Sequence, residues 1–289
     1  MCGTCGCGET NGVSVLTPQE HKHQHDGHQH DGHQHDGHHH HDHHHDHDHE
    51  HAHGHHHHYA EPSHGNRTLE LERDILQQND VAAARNRGYF EALNLLSLNL
   101  VSSPGSGKTS FLERTISDLK NELDFYVIEG DQRTFNDADR IDALKVPVVQ
   151  INTGTGCHLE SDMIYDAVKK LSPKANGILM IENVGNLVCP ALFDLGEKSR
   201  VVIISTTEGD DKPIKYPTMF EGSDLCIINK IDLLPYVSFN LEKAKDYARR
   251  VNPAIEFIEV SATTGEGMTP WYQWLKTTHE SNLRSESLA

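Results

Sequence analysis

A doubly wound α/β fold on a mostly parallel sheet is what this sequence predicts, and three observations predict it. Apolar runs alternate with amphipathic stretches from about residue 67 to about residue 280, the rhythm of strands and crossover helices. Several runs, Ile178 to Ile181 and Val201 to Ile204 among them, are unbroken, as in strands covered on both faces. The first of the clear strand patterns empties into "PGSGKTS" (104–110), a glycine-rich turn that opens a helix pattern.

The chain begins with residues that no core can use. "MCGTCGCGET" puts Cys2, Cys5 and Cys7 within seven residues, with Gly3 and Gly6 free to turn tightly between them. Three thiolates and a nitrogen suit square-planar Ni²⁺, although soft sites also accept Zn²⁺ or Cu⁺. The fourth ligand is either the N-terminal amine after methionine removal or a histidine of the tract that follows. The competing reading is a frayed terminus with reactive thiols. Residues 21–58 then hold 22 of the 25 histidines, and the pentad His-Gln-His-Asp-Gly occurs in tandem at 23–27, 28–32 and 33–37. Almost nothing there is apolar, so the tract is expected to be disordered and to hold several Ni²⁺ or Zn²⁺ ions as a store. The expected divisions are a cysteine motif (1–10), a disordered His-rich tract (11–66), the α/β domain (67–280) and a tail (281–289).

Within the domain, Leu71, Ile75 and Leu76 lie at helical spacing, so one or two helices lead in. Strand patterns follow at 95–103, 125–130, 146–153, 176–183, 200–207, 224–230 and 255–262, with helical patterns such as 107–120, 159–171 and 240–251 between them.

The strand–turn–helix context makes 104–110 a P-loop. Pro104, Gly105, Ser106, Gly107 and Ser110 shape the turn, whose amides and helix N-terminus stabilise phosphate. Lys108 reaches the outer phosphates and the Thr109 hydroxyl can ligate Mg²⁺. Ser102 stands where the first glycine of G-x-x-x-x-G-K-[ST] is usual. "NKID" supplies Asn229, Lys230 and Asp232; a carboxylate at the fourth position accepts from two guanine N–H groups, a donor pair adenine lacks. "EVSAT" follows some thirty residues on, with Ser261 and Ala262 placed to back the base. The nucleotide expected is therefore GTP with Mg²⁺, and GDP after hydrolysis. Asp131 and Glu182 fall at strand ends, where ligands bind in open parallel sheets; both are expected near Mg²⁺, with Gly185 following the γ-phosphate. Asp137 and Asp139 can orient the attacking water, or can simply cap a solvated turn. Lys108, Asp131, Asp137 and Glu182 are thus the catalytic candidates.

Composition excludes some classes. Residues 1–64 and 65–289 are each acidic by nine charges, so nucleic acid is not an expected partner. No run approaches a membrane span and no secretory signal opens the chain; a cytoplasmic location follows, where cysteines stay reduced. Cys226, inside "DLCIIN", reads as a core residue.

The segments "VSSPGSGKTS", "EGD", "TGTGCHLE", "IENVGNLVCP", "NKIDLLPY" and "VSATTGEGM", with the opening "MCGTCGCGE", together resemble the hydrogenase nickel-incorporation GTPase family. "GCHL" and "NVGNLVCP" make the resemblance specific, since nucleotide binding does not demand them. It spans residues 1–10 and about 67–280. The resemblance implies a SIMIBI-class P-loop GTPase that forms a GTP-dependent homodimer and helps load nickel into the [NiFe] hydrogenase large-subunit precursor. It implies as partner the small nickel/zinc chaperone of the same pathway. It also implies that Cys157, His158 and Cys189 form a second nickel or zinc site, shared across the dimer. Two alternatives stand beside this one: a nickel or zinc storage protein with a nucleotide-sensing domain, and a urease-type nickel GTPase, which "NVGNLVCP" and the N-terminal cysteines disfavour.

Overall fold

The computed structural model describes residues 13–21, 64–131 and 136–285. Cys2, Cys5, Cys7 and nearly all of the His-rich tract lie outside them. The described elements are β1 (Ser14–Leu16), α1 (His64–Ala92), β2 (Leu96–Ser102), α2 (Lys108–Leu119), β3 (Phe125–Asp131), α3 (Asn136–Asp142), β4 (Val148–Asn152), α4 (Ser161–Leu171), β5 (Ile178–Glu182), β6 (Ser199–Ser205), α5 (Lys212–Lys215), α6 (Pro217–Glu221), β7 (Leu225–Asn229), α7 (Leu241–Val251), β8 (Glu256–Glu259) and α8 (Met268–Ser285). Short 3₁₀ turns cover Cys189–Ala191 and Ile231–Tyr236.

Eight strands form one sheet in the order β1-β4-β3-β5-β2-β6-β7-β8. The seven strands from β2 to β8 are parallel, and each corresponds to a strand expected from the sequence. The period-two alternation sorts their side chains into two cores. Leu98, Leu100, Val127, Ile178, Met180, Val201 and Ile203 face Phe111, Leu112 and Ile116 of α2, Ile141 of α3, and Trp271 of α8. The opposite face packs Ile128, Ile151, Leu179 and Ile181 against α1 and α4, and Val202, Ile204 and Ile228 against α6 and α7. The fold is the expected three-layer doubly wound one.

Two boundaries move. Residues 13–16 belong to the folded domain, not to a disordered tract: Val13 and Val15 pack against the α1/α4 core, and β1 adds antiparallel to the open edge of β4. The tract's composition hides this, because the strand is only three residues long. The lead-in is a single helix that starts at His64, and α8 continues past 280 to Ser285.

Burial of α8 anchors the helix that follows the P-loop. Trp271 is fully buried, packs at a tilt against Phe111 with ring centroids 5.0 Å apart, and donates from Nε1 to Thr115 Oγ1 at 2.9 Å.

Candidate functional site

The P-loop connects β2, a central strand, to α2, and its backbone is set by two glycines. Gly105 (φ 76°) and Gly107 (φ 89°) adopt left-handed conformations that L side chains rarely do. A Cβ on Gly107 would stand 2.6 Å from Asn229 Nδ2. Gly107 is also the N-cap of α2, which has no side-chain cap, so the first amides of that helix are left for an anion. The Ser106 hydroxyl is buried without a partner among the described residues. The resulting cleft of about 490 Å³ is lined by residues 102–110 together with Asp131, Asp137, Arg140, Glu182, Gly185 and Lys230.

Lys108, Thr109 and Glu182 meet at one point. Glu182 Oε1 accepts from Lys108 Nζ at 2.6 Å and from Thr109 Oγ1 at 2.7 Å, while its Oε2 is buried without a partner among the described residues. β5 lies directly beside β2, which brings Glu182 there across 73 residues from Thr109. Sequence reasoning missed the neighbour on the other side. Glu129 is the cross-strand partner of Glu182 in β3, and Gln150 of β4 is the next in the same row. Burial, then the charge of Glu182, pushes the Glu129 carboxyl well above the usual carboxylate range, while Lys108 pulls it down. A glutamate that breaks the apolar run "FYVI" of a central strand is the signal that could have found it. Asp131 ends β3 on the cleft, and its backbone carbonyl accepts from Thr153 N. Asp137 stands on α3, 3.4 Å from Arg140, which bonds Ser110 and Glu113. Asp139 lies on the same helix and does not line the cleft.

The N-K-x-D residues divide their work. Asn229 donates to Ser106 O at 3.0 Å and accepts from the amides of Lys230 and Ala262. Lys230 is held left-handed (φ 63°) and donates from Nζ to Gly105 O at 2.7 Å. Both side chains thus tie the loop after β7 to the P-loop. Ser261 is buried and its Oγ accepts from the Thr264 amide. The Asp232 carboxylate makes no hydrogen bond or ion pair with a described residue, which leaves it available to a base.

A cluster of three side chains whose donor atoms could hold a metal ion lies on the loops after β4 and β5. Cys157 Sγ and Cys189 Sγ are 2.8 Å apart, Cys157 Sγ is 3.7 Å from His158 Nδ1, and the three donor atoms lie within 4.8 Å of one another. His158 stacks on Phe193 at 3.9 Å and is 5% exposed. Cys226 is fully buried in β7, where desolvation pushes its thiol far up; it packs as the sequence suggested.

The two sites share one segment. Gly185 stacks against the P-loop, a Cβ there meeting Pro104 Cα at 3.3 Å. Asn186 donates to Cys157 O at 3.4 Å and accepts from the Val188 amide. Residues 182–189 therefore touch the phosphate cleft at one end and carry Cys189 at the other.

Residues 97–259 match the CobW/HypB/UreG nucleotide-binding domain family. The chain is 57% identical over 211 residues to the hydrogenase maturation factor HypB of Escherichia coli K12, covering 73% of each chain. It is 57% identical over 220 residues to that of Azotobacter vinelandii, covering 76% of this chain and 73% of the relative. Among solved structures, HypB from Archaeoglobus fulgidus aligns with a TM-score of 0.66 at 39% identity, over 70% of this chain and 99% of that one. HypB from Helicobacter pylori in complex with nickel aligns with a TM-score of 0.66 at 38% identity, over 71% and 96%.

Proposed function

The chain belongs to the HypB family of hydrogenase maturation factors, with the SIMIBI P-loop GTPase fold of the CobW/HypB/UreG group, and we propose that it is a GTP-hydrolysing nickel metallochaperone serving [NiFe] hydrogenase. The observation that carries this reading is the segment 182–189, which joins a phosphate cleft to a thiol–imidazole cluster. The nickel in the H. pylori relative supports the choice of cargo.

In this reading GTP lies in the P-loop cleft, with Lys108 on its outer phosphates and Asp232 on the guanine. Mg²⁺ fits the donor set: Thr109 and Glu182 would hold it with Asp131 nearby, and Glu182 Oε2 is a buried carboxylate oxygen that accepts no hydrogen bond in the geometry of the described residues. Mg²⁺ would offset the charge of the phosphates. Asp137 orients water. Nickel, or zinc, is bound by Cys157, His158 and Cys189. Two thiolates and one imidazole leave a four-coordinate ion a ligand short, which supports sharing between two copies in a GTP-dependent homodimer. Val188 and Leu192, apolar and about half exposed beside Cys189, suit such a face. The same face suits the pathway's nickel/zinc chaperone and the hydrogenase large-subunit precursor. Cys2, Cys5 and Cys7 form a second nickel site, and the His-rich tract is the store. No helix among the described residues is long and apolar enough to cross a membrane, in keeping with work in the cytoplasm.

The test is linkage between the two sites. Ni²⁺ titrated into protein that lacks residues 22–58 and carries Cys2→Ala, Cys5→Ala and Cys7→Ala should show different affinities with GDP and with a non-hydrolysable GTP analogue, and nickel must then change nucleotide affinity by the same factor. Cys157→Ala should weaken this binding and abolish the difference. Equal affinities in both nucleotide states would remove the switch. Deleting residues 21–58 should cut the number of bound nickel ions severalfold with GTP turnover near that of the parent, as metal counting by mass spectrometry and a phosphate-release assay would read.

A further inference from the structure

Glu160 stands at the N-cap of α4 and does not cap it. Its backbone is extended (φ −117°, ψ 155°) and its side chain accepts no capping bond from the helix. That work is done from α1, where Asn79 Oδ1 accepts from the Ser161 amide at 2.9 Å. Asn79 Nδ2 and Ser161 Oγ both donate to Asp194 O, each at 2.7 Å. One buried asparagine therefore joins the loop before α4 to the loop after β5. Short polar residues are the usual N-caps; the glutamate in this place, relieved of capping by another side chain, has its carboxylate turned elsewhere.

It faces His158. Glu160 Oε1 lies 3.4 Å from His158 Nε2, with the glutamate side chain 34% exposed and the histidine buried. Nε2 itself makes no hydrogen bond among the described residues, and a buried ring nitrogen left that way is costly. A small turn of the partly exposed carboxylate brings the pair to the ~2.7–3.2 Å of an N–H···O bond. The other ring nitrogen faces a sulfur, His158 Nδ1 being 3.7 Å from Cys157 Sγ. A tetrahedral ion bound by a thiolate at ~2.3 Å and an imidazole at ~2.0 Å spaces those two donors by about 3.5 Å, so Nδ1 stands at the spacing of a second ligand. Phe193 stacks on the same ring with the planes 21° apart, and Asp194 beside it is the residue bonded to Asn79 and Ser161. The Glu160 carboxylate is not among the donors that lie within 4.8 Å of one another. It is placed to act on the histidine, not to replace it as a ligand.

We propose that Glu160 is a positioning residue of the metal cluster: its carboxylate accepts the Nε2–H of His158 and so leaves the Nδ1 lone pair facing Cys157 and Cys189 for Ni²⁺. The inference rests on Cys157, His158 and Cys189 holding nickel, as proposed above. The carboxylate touches the imidazole and not the ion. Its hydrogen bond selects the tautomer that can bind at Nδ1, and its negative charge makes the imidazole a stronger donor. Partners of this kind are worth about 10–100-fold in metal affinity.

Full-length protein held at a series of chelator-buffered free Ni²⁺ concentrations tests this, with alkylation and mass spectrometry reading the protection of Cys157 and Cys189 apart from the other cysteines. Glu160→Ala should raise the free Ni²⁺ needed for half protection about 10–100-fold. Glu160→Gln should raise it less, because the amide carbonyl can accept the same N–H. Without metal, both variants should melt near the parent temperature, since Asn79 and not Glu160 caps α4. Histidine labelled with ¹⁵N gives a second readout by NMR. In metal-free parent protein the His158 signal, identified by its loss in His158→Gln, should show the proton on Nε2, and in Glu160→Ala the Nδ1–H tautomer should appear. Unchanged protection in Glu160→Ala, Glu160→Gln binding as weakly as Glu160→Ala, or a parent His158 proton on Nδ1 would each overturn the role of Glu160 alone. A parent in which Ni²⁺ never protects Cys157 and Cys189 overturns the cluster itself, and this inference with it.

Discussion

Lys108→Ala should lower GTP turnover by at least about 10²–10³-fold, the cost of removing one preorganised charge from a developing phosphoryl transition state. A phosphate-release assay at saturating GTP reads this, and turnover at the parent rate would sink the assignment of the cleft. The variant should also be less stable without nucleotide. Lys108 is the cation beside Glu182, the two side chains being 10% and 2% exposed, and Glu129 lies against Glu182 in the next strand. Removing the lysine leaves two buried carboxyls with no compensating charge, a change that costs about 3–5 kcal/mol when a buried pair is broken. The pH dependence has a definite sign. Glu129 already has a folded-state pKa raised above its unfolded value, and losing Lys108 raises it further. Such a group costs stability as pH climbs above its unfolded pKa. The gap in melting temperature between variant and parent should therefore be wide near pH 8 and narrower near pH 5.

Asp232→Asn should weaken guanine nucleotide binding by about 10²-fold or more, since an amide NH₂ would face donors that a carboxylate accepts. Affinity for xanthosine triphosphate should rise relative to GTP, because xanthine carries an acceptor where guanine carries its amine. Competition between the two nucleotides, read by fluorescence, decides it; an unchanged preference would mean that Asp232 does not read the base. The structure makes this variant a clean one. Asp232 bonds no described residue, so its replacement should leave the melting temperature within about 1–2 °C of the parent, as for a surface change of up to ~0.5 kcal/mol. Asn229→Ala and Lys230→Ala are not equivalent tests. They would release the P-loop carbonyls of Ser106 and Gly105 and disturb phosphate binding along with base recognition.

Much of the site was legible because its parts are contiguous. A phosphate loop must run strand, glycine turn, helix, so "LVSSPGSGKTS" carries its geometry in its order, and Gly105 and Gly107 occupy left-handed positions that glycine alone takes easily. The continuous apolar runs likewise announce strands buried on both faces. Cys226 read as core and is core. The pairing of Glu129 with Glu182 was not legible, because nothing local links two residues on separate strands until the register of β3 against β5 sets them side by side. Val13 and Val15 were lost for the opposite reason: two apolar residues are too weak a local signal beside a tract of imidazoles.

The sequence alone therefore determined the sheet's seven parallel strands, the phosphate loop and the residue types around it, since periodicity and local turn chemistry act over a few residues. Tertiary structure decided which of those residues meet. Glu182 reaches Thr109 because β5 inserts beside β2, and Cys157 reaches Cys189 because the loops after β4 and β5 emerge at the same end of the sheet. It also gave Ser14–Leu16 a structure: the outer edge of β4 presents unpaired amides and carbonyls, and a short strand that could not persist alone pairs with them and covers the apolar edge of the core.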